Sequence, residues 1–151
     1  GLSWITVLKK RENYRKAFDS FDAAKIAKYD KKKMKKLLAN EGIIRNKLKI
    51  KSAIRNAKAF LQVKKEFGSF DRYIWQFVNC KPIKNSWKSL KQVPARTKES
   101  DAMSNDLKKR GFSFVGSTIC YAFMQASGMV NDHTVNCFKY KEIEIGKFIY
   151  N

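Results

Sequence analysis

The stretch Leu107–Cys137, LKKRGFSFVGSTICYAFMQASGMVNDHTVNC, constrains this chain more than any other. The basic end of one helix, Lys108-Lys109-Arg110, runs into a six-residue turn bracketed by Gly111 and Gly116. Ser117 and Thr118 open a second, apolar helix, and Gly128 closes it. Glycine at both ends of the turn lets the backbone bend tightly and leaves no Cβ in the way of an approaching group. The amides of Gly116, Ser117 and Thr118 stand at a helix N-terminus as unpaired donors, reinforced by the helix dipole. Such a place suits an anion.

With Lys108, Lys109 and Arg110 on the approach, the pattern reads as a helix-hairpin-helix, which holds a DNA phosphate on backbone amides and positions the duplex without reading its sequence. A plain glycine-bracketed connection between two helices is the simpler alternative. Charge bears on the choice. Lys and Arg number 33 against 13 Asp and Glu, a net charge of +20 on 151 residues. That exceeds what solubility favours and creates a field attractive to a polyanion, nucleic acid being the commonest. A lysine-rich proteome would give the same count. No long amphipathic stretch or lipidation motif points to a membrane surface, and no run reaches transmembrane length. The length suits one domain with a real core.

Cys80, Cys120 and Cys137 do not make a disulfide framework, and Cys120 lies inside an apolar helix as a core residue. His133 and Cys137, four apart, would share one helix face, a common arrangement for two ligands of a structural zinc. His133 is the only histidine, and neither Cys80 nor Cys120 has a spacing that completes four ligands.

Periodicity is helical almost throughout, with no convincing pair of strands. Leu2, Ile5, Val7 and Leu8 begin an amphipathic segment that Tyr14, Ala17 and Phe18 continue. Asp22 and Asp30 can cap helices, the second carrying Met34, Leu37 and Leu38 on one face. A long helix within Ile43–Glu66 has Ile50, Ala53, Ile54, Ala57, Phe60 and Leu61 as its apolar stripe. Phe70–Val78 is an aromatic helix whose Trp75 and Phe77 belong in the core. Lys81–Glu99 reads as a loop, and Ser100 as the cap of the first hairpin helix. The expected fold is all-α, a single helical domain of about seven helices over residues 1–137. The tail 138–151 alternates weakly, as an extended arm would.

Three blocks carry a family resemblance: GLSWITVLKKRENYR at the start, GIIRNKLKI at 42–50 and LKKRGFSFVGSTICYAFMQASGMVNDH at 107–133. They resemble bacterial DNA-3-methyladenine glycosylase I, of the helix-hairpin-helix glycosylases, over nearly everything from Gly1 to Cys137. The resemblance implies an all-helical enzyme that flips 3-methyladenine out of DNA and hydrolyses its N-glycosidic bond. Trp4 matches the tryptophan that stacks on the extruded base, and Gly1 and Leu2 the residues that press into the duplex. His133 and Cys137 match half of a four-ligand structural zinc site. The other two ligands, with a glutamate and a tyrosine of the base pocket, belong to an N-terminal segment of the family that this chain lacks. Asn131 falls where most of the superfamily places a catalytic aspartate. Asp132, next to it, is expected to point elsewhere.

The expected partner is double-stranded DNA containing alkylated adenine, met by a monomer in the cytoplasm in association with the nucleoid. One rival is a non-catalytic DNA-binding module left by N-terminal truncation. Another, a bifunctional glycosylase/lyase, needs an amine nucleophile in or beside the turn, where Ser113 and Ser117 stand instead.

Overall fold

The computed structural model describes residues 2–143. Gly1 and the stretch 144–151 lie outside the described residues, and with them the expected role of Gly1 and most of the tail. The fold is all-α, as the periodicity implied. Its α-helices are α1 (Trp4–Lys9), α2 (Arg11–Ala17), α3 (Ala23–Ile26), α4 (Lys31–Ala39), α5 (Lys47–Phe67), α6 (Phe70–Trp75), α7 (Lys98–Lys109), α8 (Ser117–Ala126) and α9 (Phe138–Glu142). Nine described helices replace the expected seven because the first amphipathic segment breaks at Lys10, and because the tail opens as α9 rather than as an extended arm. Two short strands, β1 (Ile83–Lys84) and β2 (Val130–Asn131), pair in parallel, Ile83 with Val130 and Lys84 with Asn131. Two-residue strands are too short for alternation to betray them.

Short polar residues start the helices where the sequence puts them. Ser3, Asp22, Asp30, Asn46 and Ser69 each accept a first-turn amide through the side chain, which satisfies donors the helix itself cannot. Ser100 does not cap α7. It lies one turn in and bonds reciprocally with Thr97, receiving the Thr97 amide on Oγ at 2.9 Å while Oγ1 of Thr97 accepts the Ser100 amide at 3.4 Å.

The residues gather into two compact units. The first comprises Gly1–Gly68 and Arg110–Phe114. Phe18, Ile26, Leu37, Ile43, Ile50 and Ala57 form its core, with Met34, Leu38, Ala53 and Ile54 packed on it. In the 3₁₀ segment Asp19–Phe21 all three residues have positive φ, between 50° and 60°. The Asp19 carboxylate accepts from Tyr29 Oη and from Lys33 Nζ (3.0 Å), which ties this strained turn to α4. Asn56 of α5 clamps Ser113, its Nδ2 donating to the carbonyl (3.0 Å) and its Oδ1 accepting the amide (2.9 Å).

The second unit comprises Ser69–Lys109 and Val115–Asn151. Here α7 packs on α8, burying Met103 and Leu107 of one and Cys120, Tyr121 and Met124 of the other. Trp75 is buried, and Tyr73 is fully enclosed with its hydroxyl donating to Asp106 at 2.7 Å.

Candidate functional site

The hairpin takes the conformation its glycines suggested. Gly111 has φ +90°, where an L side chain is strained whatever the space. Gly116 is extended, and a Cβ there would meet nothing within 4 Å. No side chain caps α8 at Gly116, so its first-turn amides keep their donor capacity. The buried hydroxyl of Ser104 holds the turn by donating to the Val115 carbonyl at 2.7 Å. Of the three approach cations, Lys108 and Lys109 are exposed. Arg110 is committed elsewhere: its guanidinium makes a forked pair with Glu66 (2.7 and 3.2 Å) and lies 4.8 Å from the centroid of the Phe67 ring. Ser117 is half-buried and Thr118 exposed at the helix mouth.

Beyond α8 the chain builds a polar hub. Each oxygen of the Asp132 carboxylate accepts twice: Oδ1 from Asn85 Nδ2 and Trp87 Nε1, both at 2.7 Å, and Oδ2 from Gln125 Nε2 at 2.8 Å and from the Tyr121 hydroxyl. Burial would raise the acid's pKa, but these four donors outweigh it and hold the carboxyl below its usual value. Burial, reinforced by the Asp132 bond, pushes the Tyr121 phenol up. Asn131 is only 3% exposed. Its Nδ2 donates to the Tyr140 carbonyl (3.3 Å) and its Oδ1 accepts the His133 amide (3.1 Å), so its side chain is a brace within the fold.

His133 and Cys137 do meet, with Nδ1 3.5 Å from Sγ. They meet across a turn rather than on the expected helix face: the Cys137 amide donates to the Thr134 carbonyl at 2.8 Å, and α9 begins only after Cys137. An imidazole and a thiol side by side suit zinc as two ligands of four. Among the described residues no group of three or more His, Cys, Asp or Glu could hold a metal ion.

In the first unit, Trp4 opens α1 and is 82% exposed, with Leu2 at 60%. The whole of α1 buries no residue, and Ile5 and Leu8 are exposed too.

Comparison with known proteins decides the family. Residues 1–140 match the family model of the methyladenine glycosylases. The chain belongs to the methyladenine glycosylase family. Among members, DNA-3-methyladenine glycosylase 1 of Escherichia coli is 51% identical over 140 residues, covering 93% of this chain and 75% of that protein. The DNA-3-methyladenine glycosylase of Haemophilus influenzae is 51% identical over 137 residues, covering 91% and 74%. A crystal structure of 3-methyladenine DNA glycosylase I superposes with a TM-score of 0.85 at 51% identity, covering 91% of this chain and 76% of that one. The Staphylococcus aureus enzyme, solved for its recognition of 3-methyladenine, superposes at 0.87 with 29% identity, covering 93% and 74%.

In this methyladenine glycosylase the Asp132 hub is what sequence reasoning missed. The expectation that Asp132 points away rests on a helix starting beside it, whereas β2 ends there. Two signals were present. Tyr121 and Gln125 stand four apart on α8, the spacing of side chains that can share a partner. Trp87 is a large residue with a polar edge inside a stretch that reads as loop.

Proposed function

We propose that this chain is a monofunctional DNA glycosylase that flips 3-methyladenine out of alkylated double-stranded DNA and hydrolyses its N-glycosidic bond. The observation that carries this reading is the match of residues 1–140 to the methyladenine glycosylase family, with 51% identity to two DNA-3-methyladenine glycosylases. Trp4 at the head of α1 is exposed. An indole left in solvent is available to stack on an extruded base, and a cationic ring strengthens that contact by roughly 0.5–2 kcal/mol. Leu2, near it in the chain and also exposed, would press into the duplex.

The geometry also suits a reaction without a general base. Methylation at N3 makes the adenine cationic, so the C1′–N9 bond breaks with its electron pair going to a neutral leaving base. Water then adds to C1′ and releases a proton. Asn131 is enclosed and braced, and both oxygens of Asp132 already accept two hydrogen bonds. Neither is poised to take a proton, and an activated leaving group asks only for flipping, recognition and orientation. The hairpin supplies the phosphate contact through the amides of Gly116, Ser117 and Thr118, with Gly111 for the bend and Lys108 and Lys109 as point charges.

His133 and Cys137 would hold a structural zinc, which supplies a cross-link and no chemistry at the base. Metal analysis should then find zinc that Cys137→Ser releases. No described helix is long and apolar enough to cross a membrane. A monomer acting on nucleoid DNA in the cytoplasm accords with the reading.

The test is single-turnover release of 3-methyladenine from a duplex. Trp4→Ala should depress it at least about tenfold, base–aromatic stacking being worth roughly 1–3 kcal/mol, with thermal stability and undamaged-duplex affinity little changed. Normal turnover per folded molecule would take Trp4 out of the site. A second reading, a duplex-binding module without catalysis, draws on the match spanning about three quarters of the relatives' length, 75% and 74%. Duplex binding with no base release by the unaltered chain would select it.

A further inference from the structure

The surplus charge is not spread evenly. The first unit holds 21 Lys and Arg against six Asp and Glu, while the second, of similar size, holds 12 against seven. A lysine-rich proteome would load both alike. Within the first unit two helices carry much of the imbalance: α4 has five lysines and no acid in nine residues, and α5 has seven cations and a single acid, Glu66, in 21. That acid is taken by Arg110.

The cations of α5 are also ordered. Lys47, Lys51, Arg55, Lys58 and Lys65 recur at intervals of three, four or seven residues and are all exposed. At about 100° per residue they fall within one sector of roughly 80°, turned away from the buried side of Ile50, Ala57, Ala59 and Val63, and run about 27 Å along the helix. Among the described residues none of their side chains makes an ion pair or hydrogen bond. A solvated helix face normally interleaves acids at i±4, because like charges at that spacing repel. Here no acid interrupts the row, and an external polyanion is what would neutralise it. The hairpin, with Arg110 committed to Glu66, offers only Lys108 and Lys109 beyond its amides.

We propose that the outward face of α5, through Lys47, Lys51, Arg55, Lys58 and Lys65, is a second phosphate-contacting surface for duplex DNA, separate from the hairpin. The choice of DNA as the polyanion rests on the function proposed above. The face supplies sequence-independent affinity and faster encounter rather than chemistry.

The experiment compares two quadruple variants of the full chain for binding to an undamaged duplex across a salt series. One is Lys47→Gln, Lys51→Gln, Arg55→Gln and Lys58→Gln. The other removes the same charge from α4, as Lys31→Gln, Lys32→Gln, Lys35→Gln and Lys36→Gln. The α5 variant should lower the slope of log affinity against log salt by roughly three to four, at about 0.9 per phosphate contact, and weaken binding to all sequences alike. The α4 variant should move the slope by less than half as much. Lysine or arginine restored on α5 should restore the slope. An unaltered slope in a folded α5 variant, or equal falls in both variants, would overturn the proposal. So would a response confined to anionic vesicles or RNA. Unaltered protein that binds duplex with the full slope yet releases no base would instead count against the proposed activity and leave this surface standing.

Discussion

The first unit turns its charged side chains outward and leaves most of them unpaired, whereas the second draws its polar groups inward around one acid. On α5 the cations stand in a row in solvent. In the second unit Asn85, Trp87, Tyr121 and Gln125, from the β1 loop and α8, converge on Asp132, and Ser100 and Ser104 are wholly buried. The contrast separates two jobs that a bare charge count confuses. Long-range attraction needs many replaceable charges with little individual precision. Holding a helix connection and the turn after β2 in register needs few groups, each well partnered, because a buried polar group left without a partner is costly.

The sharpest way to break this contrast is to remove the hub. Asp132→Ala should cost roughly 3–5 kcal/mol, since it strands four donors that had shared one charge. Chemical denaturation should show the midpoint falling with little change in slope. Asp132→Asn keeps two acceptor sites and should cost less. A loss below about 1 kcal/mol for Asp132→Ala would mean that the hub is solvated and no more structural than a surface pair.

The first unit has one clamp of comparable design, and it should rank second. Asn56→Ala removes both bonds to the Ser113 backbone and should cost about 1–3 kcal/mol. Duplex affinity should fall as well, because the clamped strip Arg110–Phe114 is the first half of the hairpin. Asn56→Asp, which keeps an acceptor for the Ser113 amide but no donor for its carbonyl, should lie between. If Asn56→Ala unfolds the protein as readily as Asp132→Ala, the two units do not differ in how they hold their polar groups.

Much of this is legible in the sequence, and the limits are physical. Helix starts at Asp22 and Asp30, the Ile50, Ala53, Ile54 and Ala57 part of the α5 stripe and the buried Cys120 and Trp75 follow from local rules, and the structure keeps them. It also buries Ala59 and Val63, which the stripe leaves out. The meeting of His133 with Cys137 follows from their spacing, but the backbone between them is a turn rather than a helix, because a tight turn can also bring residues four apart together. The hub is not legible. Asn85 and Trp87 lie more than 40 residues from Asp132, and no local pattern joins them. The charge bias, by contrast, can be counted along the chain, since residues 1–68 alone hold 20 Lys and Arg against six Asp and Glu. What the count does not give is which of those cations share one helix face in solvent. Arg110, a natural phosphate ligand by position, is withdrawn by Glu66, a residue 44 positions away.

A smaller effect tests the strained turn of the first unit through pH. The Tyr29 hydroxyl bond, then that of Lys33, holds the Asp19 carboxyl below its ordinary 3.8. A lowered folded pKa adds stability that is complete above the ordinary value and lost as pH falls through the lowered one. The thermal midpoint should therefore drop on acidification below about pH 4, and Asp19→Asn should flatten part of that drop by lowering the midpoint modestly at neutral pH, where the carboxylate's contribution is complete. The charge is partly exposed, its side chain 36% accessible, so solvent screening keeps the contribution modest. An identical acid profile in Asp19→Asn would assign the whole acid response to other carboxylates.

The smallest expected change in stability comes at the boundary between the two halves of the hairpin, and it is the most informative about function. Gly111 and Gly116 look equivalent in sequence but not in structure. At Gly111 the backbone has φ +90°, so any L side chain is strained there, and Gly111→Val should cost at least about 1 kcal/mol. At Gly116 φ is −65° and a Cβ meets nothing within 4 Å, so nothing in the protein demands glycine. Gly116→Val should accordingly change stability by no more than about 0.5 kcal/mol. If the glycine is there for an external phosphate, the same substitution should weaken binding to every duplex alike, because a branched side chain blocks close approach to the α8 amides without touching any base. Binding lost for one sequence only would contradict phosphate positioning. Unchanged binding would reduce the hairpin to a helix connection and leave α5 as the main electrostatic surface.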